Sequence, residues 1–89
     1  EEAVDGAKAA LARAVADEQR AVAEDDRAKA ALARLQRLSS GVSREEVDQA
    51  TAAEKSAAAA VGQTRAAIEQ AKSNLDKAQL DLSYTKIYS

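Results

Sequence analysis

A seven-residue repeat runs through almost the whole chain and limits what the chain can fold into. In both halves, large or charged residues recur every seven positions, and a small residue follows most of them by three, with Leu35 as an exception. We call these positions the seam. In the first half the seam comprises Val4, Leu11, Glu18, Asp25 and Leu32, with Ala7, Ala14, Ala21, Ala28 and Leu35. In the second half it comprises Val47, Glu54, Val61, Ile68, Leu75 and Leu82, with Ala50, Ala57, Thr64, Ala71 and Ala78. Such a repeat is typical of helices in a left-handed coiled coil.

Composition favours the same fold. The 89 residues include 24 alanines and no proline, and the chain is rich in Glu, Lys, Arg, Gln and Leu, which are good helix formers. Large apolar side chains are few, with seven Leu, six Val and two Ile, so a conventional globular core cannot form. The sequence therefore predicts an all-α fold, in which two long antiparallel helices form a left-handed coiled-coil hairpin.

The register of this hairpin follows from its symmetry about Gly41. A short connection makes two long helices antiparallel, and it pairs residues whose numbers sum to about 82. Each large seam residue then meets a small one. The predicted pairs include Leu32 with Ala50, Ala21 with Val61, Ala14 with Ile68, and Ala7 with Leu75. Two arms of about 37 residues would make a rod on the order of 55 Å long.

Acidic residues interrupt the seam. They are Glu18, Asp25 and Glu54. On the predicted register Glu18 lies near Thr64 and Arg65, and Glu54 approaches Lys29. We interpret these acids as half-exposed ion pairs that help to fix the register at little net stability. A proton relay or a cation site is the alternative, although no cluster of further ligands accompanies them.

A second set of alanines repeats every seven residues away from the seam. Its members are Ala9, Ala16, Ala23 and Ala30 in the first half, and Ala52/Ala53, Ala59/Ala60 and Ala66/Ala67 in the second. Two interpretations stay open: alanine is the best helix former at exposed positions, or these rows pack against neighbouring hairpins. Gly62, which costs about 1 kcal/mol relative to alanine inside a helix, marks a soft point or a close contact.

The segment between the two halves has the composition of a turn. Gly41 suits the left-handed residue that ends a helix. Ser43 and Glu46 have the spacing of a capping box, with Ser43 as the N-cap. Val42 and Val47 occupy the positions of a hydrophobic staple. These signals explain the turn without explaining Arg34, Arg37 and Leu38, which crowd the same end.

These signals set the predicted boundaries. Residues 1–83 form the hairpin, with helices at 3–38 and 43–83 and a tip at 39–42. Residues 84–89 are predicted to leave the helix as the start of a strand or as a frayed tail, because the run Tyr-Thr-Lys-Ile-Tyr is β-branched and aromatic.

Several functions are disfavoured by the residue inventory. The chain has no His and no Cys, so it lacks the usual zinc ligands, a thiol nucleophile and a histidine base. We therefore predict no enzyme activity, no metal site and no cofactor. With a net charge of −2, no basic stripe and two tyrosines as the sole aromatics, we also predict no nucleic-acid binding. We expect neither a membrane-spanning run nor a signal peptide within these 89 residues, and this says little about the compartment of the protein.

Two stretches resemble a known family. They are "RLQRLSSGVSREEVDQA", residues 34–50, and "LDKAQLDLSYTKIYS", residues 75–89. The first is similar to the tip of the helical hairpin in periplasmic adaptor proteins, also called membrane fusion proteins, of the HlyD and EmrA/AcrA type. The C-terminal stretch resembles that family's passage from the hairpin into a lipoyl-like domain. The resemblance covers essentially the whole chain.

The resemblance assigns roles to residues of the tip. In that family an Arg-Leu-Ser motif at the hairpin tip engages an outer-membrane channel of the TolC type. Arg34 and Leu38 keep the family spacing of four, and Ser43 stands at the serine position. The chain departs from the family in having four residues between Leu and Ser where six are usual. The tip is therefore tighter, Arg37 can substitute for Arg34, and Gly41 completes the implied site.

The resemblance also implies partners and a location. Six hairpins would pack side by side into a tube through their lateral alanines, and the tube would form part of a transport conduit. Domains outside this chain would contact an inner-membrane transporter of the MFS, RND or ABC class. The implied protein belongs to a tripartite efflux pump or a type I secretion system. It lies in the periplasm, anchored to the inner membrane of a Gram-negative bacterium.

A different interpretation is an intracellular coiled-coil hairpin that serves as a spacer or docking arm, such as those that project from ATPases or synthetases. It predicts that heptads continue beyond the second helix, whereas the adaptor interpretation predicts a strand there. A third interpretation, a fragment of an enzyme, lacks candidate catalytic residues.

Overall fold

Two long helices make up the fold. The computed structural model describes the backbone of residues 2–38 and 41–88, with side chains as far as Thr85. Helix α1 spans Glu2–Arg37 and helix α2 spans Arg44–Tyr88. The described part of the chain contains no strand, and the two helices pack against each other as a hairpin. The predicted all-α hairpin is confirmed.

The hairpin is a thin rod. Its extents are 73 × 13 × 13 Å. The predicted length of about 55 Å is too short because α2 has 45 residues, which at 1.5 Å per residue span roughly 67 Å. Within the described residues, neither helix has a stretch long and apolar enough to cross a membrane.

The seam lies where the seven-residue repeat predicts it. Every seam residue is buried or half-buried, while most residues between seam positions are exposed. The most buried apolar residues are Val4, Ala14, Ala21, Val61, Ile68 and Ala71. No described side chain is completely buried, because two helices cannot surround a residue on all sides. The core is therefore a single narrow strip.

The predicted register is also confirmed. Ala14 packs with Ile68 and Ala71 in one apolar cluster, and Leu11 covers its edge. At the next seam position along α1, the side chain of Glu18 reaches Arg65 on α2. Residues whose numbers sum to about 82 thus lie at the same height on the rod.

The helix boundaries near the tip differ from prediction by one residue each. Helix α1 ends at Arg37 rather than at residue 38, and α2 begins at Arg44 because Ser43 caps the helix instead of entering it. Residues 39 and 40 of the predicted tip lie outside the described residues, as does residue 1 of the predicted hairpin domain.

The predicted exit from the helix at Tyr84 is wrong for the described residues, since α2 continues to Tyr88. The β-branched and aromatic residues there each cost at most about 0.7 kcal/mol in a helix, which does not end one unless a neighbouring strand offers pairing. Thr85 also satisfies its hydroxyl within the helix, by donating to the carbonyl oxygen of Asp81 at 2.9 Å. Ser89 lies outside the described residues, and a following lipoyl-like domain stays a prediction.

Candidate functional site

The tip begins with a tightened last turn of α1. The amide of Leu38 donates to the carbonyl oxygens of both Arg34 and Leu35, each at 3.2 Å. Such shared bonds use up carbonyls that would otherwise lack partners at a helix C-terminus. The backbone of Leu38 is therefore held to α1, even though its side chain projects beyond the last helical residue.

Gly41 has the positive φ angle that its residue type predicts, at +88°. Its place differs from prediction, however. Gly41 lies four residues after Arg37, the last residue of α1, and two before the cap of α2. It does not end α1, and instead turns the chain into α2. Residues other than glycine rarely adopt this backbone conformation.

Ser43 caps α2 as predicted. The amide of Glu46 donates to the Ser43 hydroxyl at 3.1 Å, and that hydroxyl lies 3.4 Å from the Glu46 carboxylate, to which it donates. The amide of Val47 donates to the Ser43 carbonyl at 3.3 Å and closes the first turn. Val42 and Val47, the predicted staple, are both half-buried. Ser43 thus has a structural role that is complete within the hairpin.

The remaining predicted site residues present their side chains to solvent. Arg34, Arg37 and Leu38 are all exposed, with Leu38 54% exposed. The two arginines lie in the last turn of α1, where a positive charge stabilises the helix by about 0.3–1 kcal/mol at the negative end of its dipole. A structural reason therefore exists for Arg34 and Arg37. The helix dipole gives no such reason for Leu38, because its side chain carries no charge.

The hairpin brings all five predicted residues to one end of the rod. Arg34, Arg37 and Leu38 approach from α1, and Gly41 and Ser43 follow in the connection to α2. Neither arginine forms an ion pair with another described residue. Their guanidinium groups remain available to a partner, and their binding roles stay predictions.

The acids of the seam behave differently from one another. Glu18 reaches across the seam, with its Oε2 3.4 Å from Nε of Arg65. Asp25 pairs within its own helix, with its Oδ2 3.1 Å from Nζ of Lys29. The prediction of register-fixing pairs holds for Glu18. It is wrong for Asp25, because an i,i+4 pair carries no information about the other helix.

Asp25 is the one buried charged side chain among the described residues. It is 8% exposed, and its Oδ1 has no hydrogen-bond partner. Its hydrogen bond and negative charge raise the pKa of Lys29 above the ordinary value of 10.5, and burial opposes this rise. Glu54 adds to it from α2, as the predicted proximity of Glu54 and Lys29 requires. No group of three metal-ligating side chains occurs in the described part of the chain.

A row of arginines was missed by the sequence analysis. Its members are Arg13, Arg20, Arg27 and Arg34, which repeat every seven residues and are all exposed on α1. Exposed Asp17 and Glu24 lie one turn from successive arginines, so the row is flanked by carboxylates and does not overturn the expectation of no basic stripe. The signal was present in the seven-residue spacing, but counting charges over each half concealed it, because α1 has as many acidic as basic residues.

The fold agrees with a comparison to protein families. Residues 3–85 match the family model described as "RND MFP, alpha-helical hairpin domain", where MFP denotes a membrane fusion protein. The chain belongs to this family. Searches of curated proteins and of solved structures found no significant match.

Membership supports the coarser part of the predicted function. Membrane fusion proteins are periplasmic adaptors without enzymatic activity, and they work in tripartite pumps with outer-membrane channels and inner-membrane transporters. The matched family is of the RND type, one of the three transporter classes that the sequence left open. It favours the adaptor interpretation over an intracellular docking arm.

Proposed function

We propose that this hairpin is the part of an adaptor that docks, through its tip, on an outer-membrane channel of the TolC type. Leu38 would enter an apolar groove between channel helices, and Arg34 would bond a carbonyl or carboxylate at its rim. The hairpin performs no chemistry in this proposal. Its 73 Å rod would bridge part of the distance to the outer-membrane channel, and its tip would seal against that channel.

One observation carries the proposal: Leu38 is 54% exposed at the end of the rod. Its amide is bonded back to α1, so the side chain is presented from a fixed backbone rather than from a loose loop. Neither capping nor seam packing uses this leucine. An exposed large apolar residue on a rigid support at a molecular extremity fits a contact with a partner.

The other tip residues have secondary parts in the proposal. Arg34 and Arg37 stabilise α1 and also offer guanidinium forks to a partner, as Arg suits planar acceptors. Ser43 is first the cap of α2 and only then a contact. Gly41 permits the sharp entry into α2, which keeps the tip narrow.

The hairpin would act as one of several copies. Side-by-side packing of hairpins, six in the arrangement that the family resemblance implies, would form part of the conduit. Other domains would contact the inner-membrane transporter and anchor the protein at the inner membrane of a Gram-negative cell. The cargo would pass through the tube that the copies enclose, without meeting a catalytic group.

Transport by the full-length protein tests the docking role. Leu38→Asp and Arg34→Asp are expected to abolish efflux or secretion while the hairpin remains helical. Leu80→Asp is the matched control, because Leu80 is equally exposed at 54% but lies near the other end of α2. Arg34→Lys keeps the charge that stabilises α1, and any loss of transport it causes would report on the guanidinium fork.

Normal transport by both Leu38→Asp and Arg34→Asp, at normal protein levels, would overturn the proposal. The tip would then be a turn alone. Equal loss of transport by Leu80→Asp and Leu38→Asp would also contradict it, since the effect would not be specific to the tip.

A further inference from the structure

The apolar contact along the seam is interrupted at one place, between the middle of the rod and the tip. In the register of the hairpin, Asp25 is level with Ala57, and Ala28 is level with Glu54. These two consecutive layers, which we call the polar gap, each hold one acid and one alanine. Between the layers on either side, which are about 16 Å apart, no seam position holds a large apolar residue. Half-buried Val22 flanks the seam at the edge of this stretch that faces away from the tip.

No ion pair of the described residues joins the two helices in the polar gap. Asp25 is 8% exposed, pairs with Lys29 of its own helix, and leaves its Oδ1 without a hydrogen-bond partner. Glu54 is half-buried and forms no ion pair with a described residue. A buried carboxylate oxygen that lacks a partner gains hydrogen bonds to water when the helices separate. The polar gap therefore favours separation of the helices, whereas an apolar layer opposes it.

The third seam acid, Glu18, does not produce such a gap. Its Oε2 lies 3.4 Å from Nε of Arg65, so an ion pair joins the two helices at this layer. The layers on both sides of it hold large apolar residues, Val61 towards the tip and Ile68 away from it, and both are buried. A single polar layer between two apolar layers is held closed by its neighbours. Two consecutive polar layers are not.

The polar gap divides the seam into two blocks that differ in burial. The base block runs from Val4 to Ala21 on α1 and from Val61 to Leu82 on α2, and it contains all six buried apolar residues of the described chain. The tip block has four seam residues, none of them fully removed from water. They are Leu32, Leu35, Val47 and Ala50, and all are half-buried. Because apolar contacts stabilise in proportion to the area removed from water, the tip block is the weaker of the two.

We infer that the tip block opens as a separate unit across the polar gap, while the base block stays closed. In the open state the two helical segments between the gap and the tip separate and lose backbone protection, and they then pair again. Elements that bind partners are commonly drawn from the least stable part of a protein. A tip that opens and closes can adjust to the surface of a channel, and docking then holds it closed. That use rests on the proposed docking function, but the opening itself does not.

Chain topology alone predicts the reverse order of opening. The connection around Gly41 joins the helices at the tip, whereas their far ends are separated in sequence by almost the whole chain. Closing a short loop costs less entropy than closing a long one, so a hairpin with a uniform seam would open at the far end first. The order of opening therefore separates the effect of the polar gap from the effect of topology.

Hydrogen exchange in the full-length protein, read by mass spectrometry of its peptides, measures this order. We define the tip segments as residues 27–37 and 48–56, and the base segments as residues 10–21 and 61–72. Relative to the rates of an unstructured chain, amides of the tip segments are expected to exchange at least about tenfold faster than amides of the base segments. The opposite order, or equal protection of both pairs of segments, would overturn the inference.

A double variant tests whether the polar gap is the cause. Asp25→Leu with Glu54→Leu fills both layers with apolar side chains and is expected to slow exchange of the tip segments at least about fivefold. Glu18→Leu is the matched control, because it also removes a seam acid but lies within the base block. It is expected to change exchange of the tip segments by less than about twofold. Equal slowing by the control and by the double variant would contradict a role for the gap.

A purified channel of the TolC type separates this inference from the docking proposal. Added to the full-length protein, it is expected to slow exchange of the tip segments, and Leu38→Asp is expected to abolish that slowing. Fast exchange of the tip segments that does not respond to the channel would support separate opening and contradict docking. Slowing by the channel in a protein whose two pairs of segments are equally protected beforehand would support docking and overturn separate opening.

Discussion

Ser43 and Leu38 lie five residues apart at the tip, but they have different roles. Ser43 stabilises the fold, whereas Leu38 forms part of the surface. The Ser43 hydroxyl accepts the Glu46 amide and lies within hydrogen-bonding distance of its carboxylate. Leu38 makes no comparable contact through its side chain and is half exposed. A change at Ser43 therefore acts first on folding, whereas a change at Leu38 acts on a surface.

Replacing Ser43 with alanine is expected to lower the free energy of unfolding by roughly 0.5–2 kcal/mol, because the Glu46 amide loses its acceptor. Denaturant unfolding followed by circular dichroism measures this change. Ser56→Ala is the matched control, because Ser56 is exposed inside α2 and alanine is the better helix former there. If both variants change stability equally, Ser43 does not act as a cap.

Asp25 is the residue at which the seam departs most from its own pattern. Of the other residues at its heptad position in α1, three are apolar and one is Glu18, which is only half-buried. The Oδ1 of Asp25 has no partner, and Lys29, which pairs with its Oδ2, is largely exposed. Asp25→Leu is expected to raise the free energy of unfolding by about 1–3 kcal/mol, because a buried carboxylate gives way to an apolar contact. Thermal and denaturant unfolding measure the difference.

Asp25→Asn provides the comparison, since it keeps the shape and removes the charge. It is expected to lower the pKa of Lys29 towards 10.5, and NMR titration of the lysine follows that value. A loss of stability in Asp25→Leu would mean that the carboxylate has a function in the seam beyond the ion pair of its Oδ2 with Lys29.

At the scale of the helices, replacing glycine with alanine is expected to have opposite effects on stability in the turn and in α2. Gly62 is exposed in α2, and an added methyl group would meet no atom within 4 Å. Gly62→Ala is therefore expected to stabilise the hairpin by about 1 kcal/mol through helix propensity. Gly41 also has space around it, but its φ of +88° strains any other residue, so Gly41→Ala is expected to destabilise the hairpin by about 1–2 kcal/mol.

Equilibrium unfolding of the isolated chain measures both changes under the same conditions. A change in the free energy of unfolding of the same sign in both variants would contradict this explanation. Space is open at both sites, so the two positions differ only in backbone conformation.

At the scale of the whole molecule, a single strip of contact holds a rod 73 Å long. Six apolar residues among those described are buried and none completely, so the gain in free energy per residue is small. The isolated chain is expected to be mostly monomeric at low concentration, with an early and broad thermal transition. Circular dichroism on heating, with sedimentation to establish the monomer, measures both.

A sharp transition in a proven monomer, at the temperatures above about 90 °C that mark hyperstable proteins, would contradict this expectation.

Much of this protein was determined by its sequence alone. The seven-residue repeat specified both helices, the seam and the antiparallel register, because side-chain periodicity decides which face of a helix is buried. The turn was equally local: Ser43 and Gly41 act through their own backbone and nearest neighbours, so residue type and spacing were sufficient. The arrangement of Arg34, Leu38 and Ser43 at one end followed directly from the hairpin.

Where two structural preferences compete at a residue, only the tertiary structure decided which one prevails. Tyr84 and its neighbours favour a strand, yet α2 continues through them because no second strand competes for their backbone groups within the described residues. Asp25 lies in the seam, yet its carboxylate pairs with Lys29 of its own helix and not with a residue of α2. The exposure of Leu38 likewise depends on what the second helix covers, which is a property of the packed pair and not of either segment.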